Sequence, residues 1–171
     1  RLTPVRTHIG NEAENPLTLC VVDQYTEVGN PSNKLKEFPT ESAPYMLHAD
    51  QAGKYQITLR RYPKEADTPI EAVEAEIQIA GQTLKKKIKE DATKVRFDLE
   101  LETGDAELLT YFHNSEGKRG GAYFVYIERL WRSIKMGYGE QAKTLRDPNV
   151  KLSSELLGVF FLRVVPVDVF E

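Results

Sequence analysis

KVRFDLELE, residues 94–102, alternates without a break: Val95, Phe97, Leu99 and Leu101 are apolar, while Arg96, Asp98, Glu100 and Glu102 are charged. Successive side chains of a strand point to opposite faces, so this period of two predicts a β-strand with one dry face and one wet face. In VEAEIQIAG, residues 73–81, the same rule turns Ala75, Ile77 and Ile79 inward and Glu74, Glu76 and Gln78 outward. GKYQITLR, residues 53–60, sets Tyr55, Ile57 and Leu59 against Lys54, Gln56, Thr58 and Arg60. Strands are thus expected at about Leu17–Gln24, Tyr45–Ala49, Gly53–Tyr62, Val73–Gly81, Lys94–Glu102, Glu107–His113 and Ala122–Leu130.

The last of these, GAYFVYIERL, residues 121–130, departs from simple alternation. Tyr123, Val125 and Ile127 face Ala122, Phe124 and Tyr126, and both sets are apolar. Such a strand belongs in the middle of a sheet, covered on both sides or lining a groove. Turn residues separate the runs at Ala80-Gly81-Gln82, Thr103-Gly104-Asp105 and Asn114–Gly117, and no long 3.6-period helix stands between them. The expected fold is all-β: an antiparallel β-sandwich, jelly-roll-like, over residues 1–130. The Gly-, Pro- and Ser-rich run GNPSNKLKEFPTESAP, residues 29–44, is expected to be loop.

Residues 131–171 change character. WRSIKMGYGEQAKTLRDPN is polar and irregular; LLGVFFLRVVPVDVF, residues 156–170, is almost wholly apolar. That run is too short for a membrane span and is interrupted by Arg163, Pro166 and Asp168. It reads as an irregular C-terminal extension ending in a docking strand, through which the chain would self-associate.

Composition narrows the function classes. The 171 residues carry 26 acidic and 23 basic side chains, a formal net charge of -3, which does not recommend a nucleic-acid partner. The chain opens at Arg1 without methionine or an apolar leader, as a processed product or an excised piece would. Its single cysteine, Cys20, lies among Leu19, Val21 and Val22 and reads as a small buried hydrophobe. His8, His48 and His113 are far apart in sequence and lack metal-ligand spacing, apart from Asp50 near His48, so no metal site is expected. A calcium ion held by loop oxygens has no motif to support it. There is no G-x-S-x-G elbow, and no catalytic residue is assigned. LKKKIKE, residues 84–90, is basic, but Glu90 and Asp91 adjoin it, and it reads as a solvated strand or turn.

RRYPKEAD, residues 60–67, is the charged corner where the strand from Gly53 must end. If pairing continued, Arg61 would point into the core, which is costly unless a carboxylate meets it or the strand bends. Pro63 ends ladder donation, so the bend falls between Arg60 and Pro63. The two arginines are then expected at the sheet rim beside Glu65 and Asp67, where they form either a local clasp or a ligand site, because a planar guanidinium suits a carboxylate or a sulfate equally. Arg60, Arg61, Tyr62 and Glu65, with Trp131, are the candidate ligand or interdomain contacts.

AGKYQITLRRYPKEADTPIEA (52–72), KVRFDLELETGDAELLTYF (94–112) and GAYFVYIERL (121–130) together resemble the accessory β-sandwich domain that follows the catalytic domain in bacterial arylsulfatase-like enzymes. The resemblance runs from about Asn15 to Leu130. It implies a noncatalytic C-terminal domain that packs against or orients an upstream sulfatase catalytic domain. The alternative function it suggests is a carbohydrate-binding module for a sulfated polysaccharide. Calcium and formylglycine would belong to the upstream domain: the sulfatase signature is C-x-P-x-R or S-x-P-x-R, and Cys20 is followed by Val21, Val22 and Asp23. A secreted or periplasmic location is implied in the same way. Related domains often carry tryptophan where this sequence has Gln24, Ser32 and Tyr62, which removes aromatic platforms; Tyr62, Tyr111 and Trp131 are the remaining exposed-aromatic candidates.

Overall fold

The computed structural model describes residues 4–25 and 37–130, which lie in one compact unit, Arg1–Arg132. The sequence expectations for Trp131, for Ser32 and for the apolar run 156–170 fall outside the described residues. Among the described residues, ten strands form two sheets. In chain order they are β1 (Thr7–Ile9), β2 (Leu17–Cys20), β3 (Tyr45–Ala49), β4 (Gly53–Arg60), β5 (Glu74–Ile79), β6 (Gln82–Lys87), β7 (Val95–Leu101), β8 (Gly104–His113), β9 (Arg119–Gly120) and β10 (Phe124–Leu130). One sheet runs β1-β3-β8-β5-β6, with β9 added to β8; the other runs β2-β10-β4-β7.

The two sheets face each other across one hydrophobic core, and the alternation read from sequence supplies it. β7 is buried at every second residue, with Val95, Phe97, Leu99 and Leu101 inside. Tyr55, Ile57 and Leu59 from β4 and Val125 and Ile127 from β10 come from the same sheet; Leu47, Ala75, Ile77, Leu108 and Phe112 meet them from the other. Each buried Leu, Ile or Phe contributes about 1.5–3 kcal/mol relative to exposure. β10 lies between β2 and β4, as its doubly apolar sequence predicts, with Phe124 and Tyr126 half-buried on the outer face.

The structure adds what alternation could not reveal. β1 is only three residues long and pairs parallel with β3, so the sandwich is not wholly antiparallel. Asn15 substitutes for a neighbouring strand: its side-chain oxygen accepts from the Arg129 amide at 2.7 Å, and its Nδ2 donates to the Arg129 carbonyl at 3.0 Å. β6 takes in the lysine run and is the edge strand of its sheet. From it, Lys86 Nζ reaches the Arg96 carbonyl at 2.6 Å, and Gln82 Nε2 reaches the Glu100 carbonyl at 3.0 Å.

Gly10 closes β1 at φ +77°, a left-handed conformation, and a Cβ there would collide with the Tyr55 hydroxyl. Only glycine satisfies both demands. The Tyr55 hydroxyl donates to the Gln51 carbonyl at 2.5 Å and so fastens the β3–β4 turn.

Candidate functional site

The sequence motifs that carry the resemblance are neighbours in space. β4 and β10 pair antiparallel with Phe124 opposite Arg60 and Tyr126 opposite Thr58, so the charged corner leaves the sheet beside the aromatic strand. Past Arg60 the chain turns, with the Ala66 amide bonded to the Pro63 carbonyl at 3.0 Å. The Lys64 amide donates to the Tyr126 hydroxyl at 3.1 Å, drawing the corner against the outer face of the sheet.

The two arginines part company. Arg60, facing outward but only 7% exposed, spans the turn it precedes: Nη2 donates to the Ala66 carbonyl at 3.0 Å and Nε to the Tyr62 carbonyl at 3.3 Å. Arg61, at 2% exposure, goes inward. Its guanidinium lies 5.7 Å from the Phe38 ring centroid and 5.2 Å from that of Tyr62, donates to the Ile70 carbonyl, and forms an ion pair with Glu71. The carboxylate that meets Arg61 is therefore Glu71, ten residues on, where the sequence had suggested Glu65 and Asp67. Glu65 is exposed, and Tyr62 is half-buried. Burial pushes the neighbouring Tyr123 phenol up from its ordinary pKa of 10.0, against the opposing charge of Arg61.

Among the described residues, the outer face of the β2-β10-β4-β7 sheet is partly accessible. Two half-exposed rings, Phe124 and Tyr126, stand on its inner strand β10. Thr18 and Thr58 flank Tyr126 from either side, and Arg96 extends that row to β7. In the adjacent row, Gln56 Nε2 donates to Asp98 Oδ1 at 2.9 Å, which fixes the orientation of both side chains. The face thus combines apolar ring surface with pre-oriented hydrogen-bonding groups.

The other sheet carries two charged clusters on its outer face. On β5, Glu76 was expected to point to water, yet it is only 5% exposed. Gln78 Nε2 donates to it at 2.6 Å, Lys85 Nζ lies at 3.0 Å, His113 Nε2 at 3.3 Å and Arg119 Nη2 at 4.0 Å. Burial by itself would raise the Glu76 pKa; the bonds from Gln78 and Lys85, with the charges of Lys85 and Arg119, outweigh it and hold the carboxyl below its ordinary 4.5. Arg119 also covers the Tyr111 ring, 3.5 Å from its centroid, so that aromatic is roofed by a cation.

The second cluster joins histidines that sequence spacing separates. β1–β3 pairing sets His8 directly across from His48, with ring centroids 5.0 Å apart. His8 Nδ1 is 2.6 Å from Asp50 Oδ1, and His48 Nδ1 is 2.7 Å from Asp105 Oδ1. Arg6 Nε completes the row on Asp105 Oδ2 at 2.8 Å. The hydrogen bond from His8 holds Asp50 below its ordinary 3.8, and that from His48, aided by Arg6, does the same for Asp105. A parallel pairing between segments forty residues apart leaves no spacing signal to read.

Cys20 is half-buried rather than enclosed. Its Sγ–H donates to Asp23 Oδ2 at 3.2 Å beside the 3-10 turn Val21–Asp23, and burial followed by that bond pushes the thiol up from its ordinary 9.0. A thiol so placed stays protonated near neutrality and is a poor nucleophile. Gln24 is buried and hydrogen-bonded to the Tyr45 side chain. No helix among the described residues is long and apolar enough to cross a membrane.

No protein-family profile and no curated protein matches the chain. Among solved structures, it is similar to a ruminal GH26 endo-β-1,4-mannanase at 14% identity and TM-score 0.45, covering 68% of this chain and 26% of the mannanase. The chain thus spans well under two thirds of that enzyme. It is also similar to the CBM35 module of Abf62 from Cellvibrio japonicus, at 16% identity and TM-score 0.38, over 68% of this chain and 89% of the module. A family 35 carbohydrate-binding module from an environmental isolate is similar at 14% identity and TM-score 0.36, over 55% of this chain and 74% of the module.

Proposed function

We propose that this chain is a noncatalytic accessory module that binds polysaccharide on the outer face of the β2-β10-β4-β7 sheet. The observation that carries the reading is the position of Phe124 and Tyr126 as half-exposed rings on the inner strand β10 of that face. A ring offers an apolar surface to the C–H face of a sugar, while the Tyr126 hydroxyl is held by the Lys64 amide and fixes that ring in place. Thr18, Thr58 and the Gln56–Asp98 pair supply fixed partners for hydroxyl groups, and Arg96 and Lys64 place cations at the rim for sulfate esters. An open face of this kind is expected to bind with dissociation constants on the order of millimolar.

Affinity electrophoresis in gels cast with a sulfated polysaccharide and with its desulfated form tests the proposal. Retardation is expected, greater in the sulfated gel, and reduced in Tyr126→Ala and Phe124→Ala. Unchanged mobility in both gels would overturn it.

The sequence resemblance favours a second reading, in which the sandwich packs against or orients an upstream sulfatase catalytic domain in a secreted or periplasmic enzyme. Calcium and formylglycine would then reside in that domain. This chain alone should not turn over 4-nitrophenyl sulfate, and joining it to the upstream domain should raise the melting temperature of both. Turnover that depends on Cys20 would defeat this reading and the noncatalytic one together.

A further inference from the structure

We propose that His8, His48 and Asp50 form a binding site for a divalent transition-metal ion of the zinc class. The site lies on the outer face of the β1-β3-β8 part of the first sheet, away from the β2-β10-β4-β7 sheet, and does not rest on the polysaccharide reading.

Three features of the backbone build it. Parallel pairing sets His8 opposite His48, so both rings leave the same face on neighbouring strands. Period two then returns Asp50 to the face that His48 occupies. The Asp50 amide donates to the Ile9 carbonyl at 3.0 Å, tying the end of β3 to the end of β1 and keeping the carboxylate beside His8. One ligand atom from each of the three residues lies within 4.8 Å of the others. Zinc bonds of about 2.0 Å in tetrahedral geometry put ligand atoms roughly 3.3 Å apart. Small χ rotations of the exposed His8 and the half-buried His48 and Asp50 close the difference, and the ion replaces the hydrogen bond between His8 and Asp50.

The supporting residues have the chemistry a metal-bound imidazole needs. Ligating histidines commonly donate their second ring N–H to a carboxylate, which fixes the tautomer and aims the free lone pair. Asp105 serves His48 in this way through Nδ1, and Arg6 holds Asp105 by its other oxygen. Two imidazoles and one carboxylate suit a borderline ion such as Zn²⁺ and disfavour Ca²⁺ or Mg²⁺, which need more oxygen ligands. Water would complete the coordination.

The test is calorimetric titration of Zn²⁺ into the tag-free, chelator-treated full chain, with Co²⁺ absorption in the visible as a report on ligand geometry. One ion per chain is expected. His8→Asn and His48→Asn should each weaken binding at least about 10-fold, and Asp50→Asn roughly 10-fold. His8→Gln and His48→Gln repeat the test with a second side chain, and circular dichroism checks that each variant is folded. His113→Asn, in the separate cluster around Glu76, should bind as the parent does. Absence of Zn²⁺ uptake, uptake preserved in the His8/His48 double variant, uptake lost in folded His113→Asn, or equal competition by Ca²⁺ would each overturn the site.

Discussion

Arg60 and Arg61 are adjacent in sequence and end up on opposite sides of a sheet; His8 and His48 are forty residues apart and end up ring to ring. Strand alternation separates the first pair, and strand pairing unites the second. The arginines are also buried and committed to the carbonyls and the carboxylate that close the corner, whereas His8 is exposed and His48 only half-buried. The difference is between charge used to build a turn and charge left where an incoming ion or ligand can reach it.

The sharpest way to break the contrast is Arg61→Ala. It removes a fully buried side chain with its contacts to Phe38 and Tyr62 and its hydrogen bond to the Ile70 carbonyl, leaves the exposed Glu71 solvated, and should cost about 3–5 kcal/mol in urea unfolding. Arg60→Ala loses two hydrogen bonds to turn carbonyls and should cost about 1–3 kcal/mol by the same measurement. If the two costs are equal, the division into inward anchor and outward brace is wrong.

Gly10→Ala bears on the other region. It asks for a left-handed alanine where the Tyr55 hydroxyl already sits, so a loss of roughly 1–3 kcal/mol is expected, read as a lower midpoint in the same unfolding curves. Because β1 is only three residues long, the His8–His48 contact should loosen with it, which loss of histidine ring cross-peaks in NMR spectra would report.

The smallest effect concerns acid. Asp50 and Asp105 have folded-state pKa values below their unfolded 3.8, so each adds stability that is complete above that pH and is lost as pH falls through the folded value. Melting temperatures followed below pH 4 should therefore fall less steeply in His8→Asn and His48→Asn than in the parent. At neutral pH, without metal, each replacement should shift stability by no more than about 0.5 kcal/mol.

These differences also mark how much could be read beforehand. The inward sets of β4, β5 and β7 were legible because burial on one face imposes period two, and the place of β10 between two strands was legible because both its faces are apolar. For Arg61, phase offered the inward course only if pairing continued, and the bend at Pro63 had argued instead for a place at the sheet rim. Its partner did not follow: Glu71 reaches it through a loop, and loops have no period. The burial of Glu76 was hidden for a related reason, because Lys85, His113 and Arg119 arrive from three other strands. The three residues of β1 are too few to show any pattern, and with them went the histidine pair.

The fastening of β6 to β7 bears on how this protein keeps company with itself in concentrated solution. Each is the last strand of its sheet, where unsatisfied main-chain groups invite a stranger to extend the ladder. On β7 the Arg96 and Glu100 carbonyls are already occupied by Lys86 and Gln82. The sandwich thus guards one flank with side chains of its own, and a second molecule approaching there would find both acceptors taken.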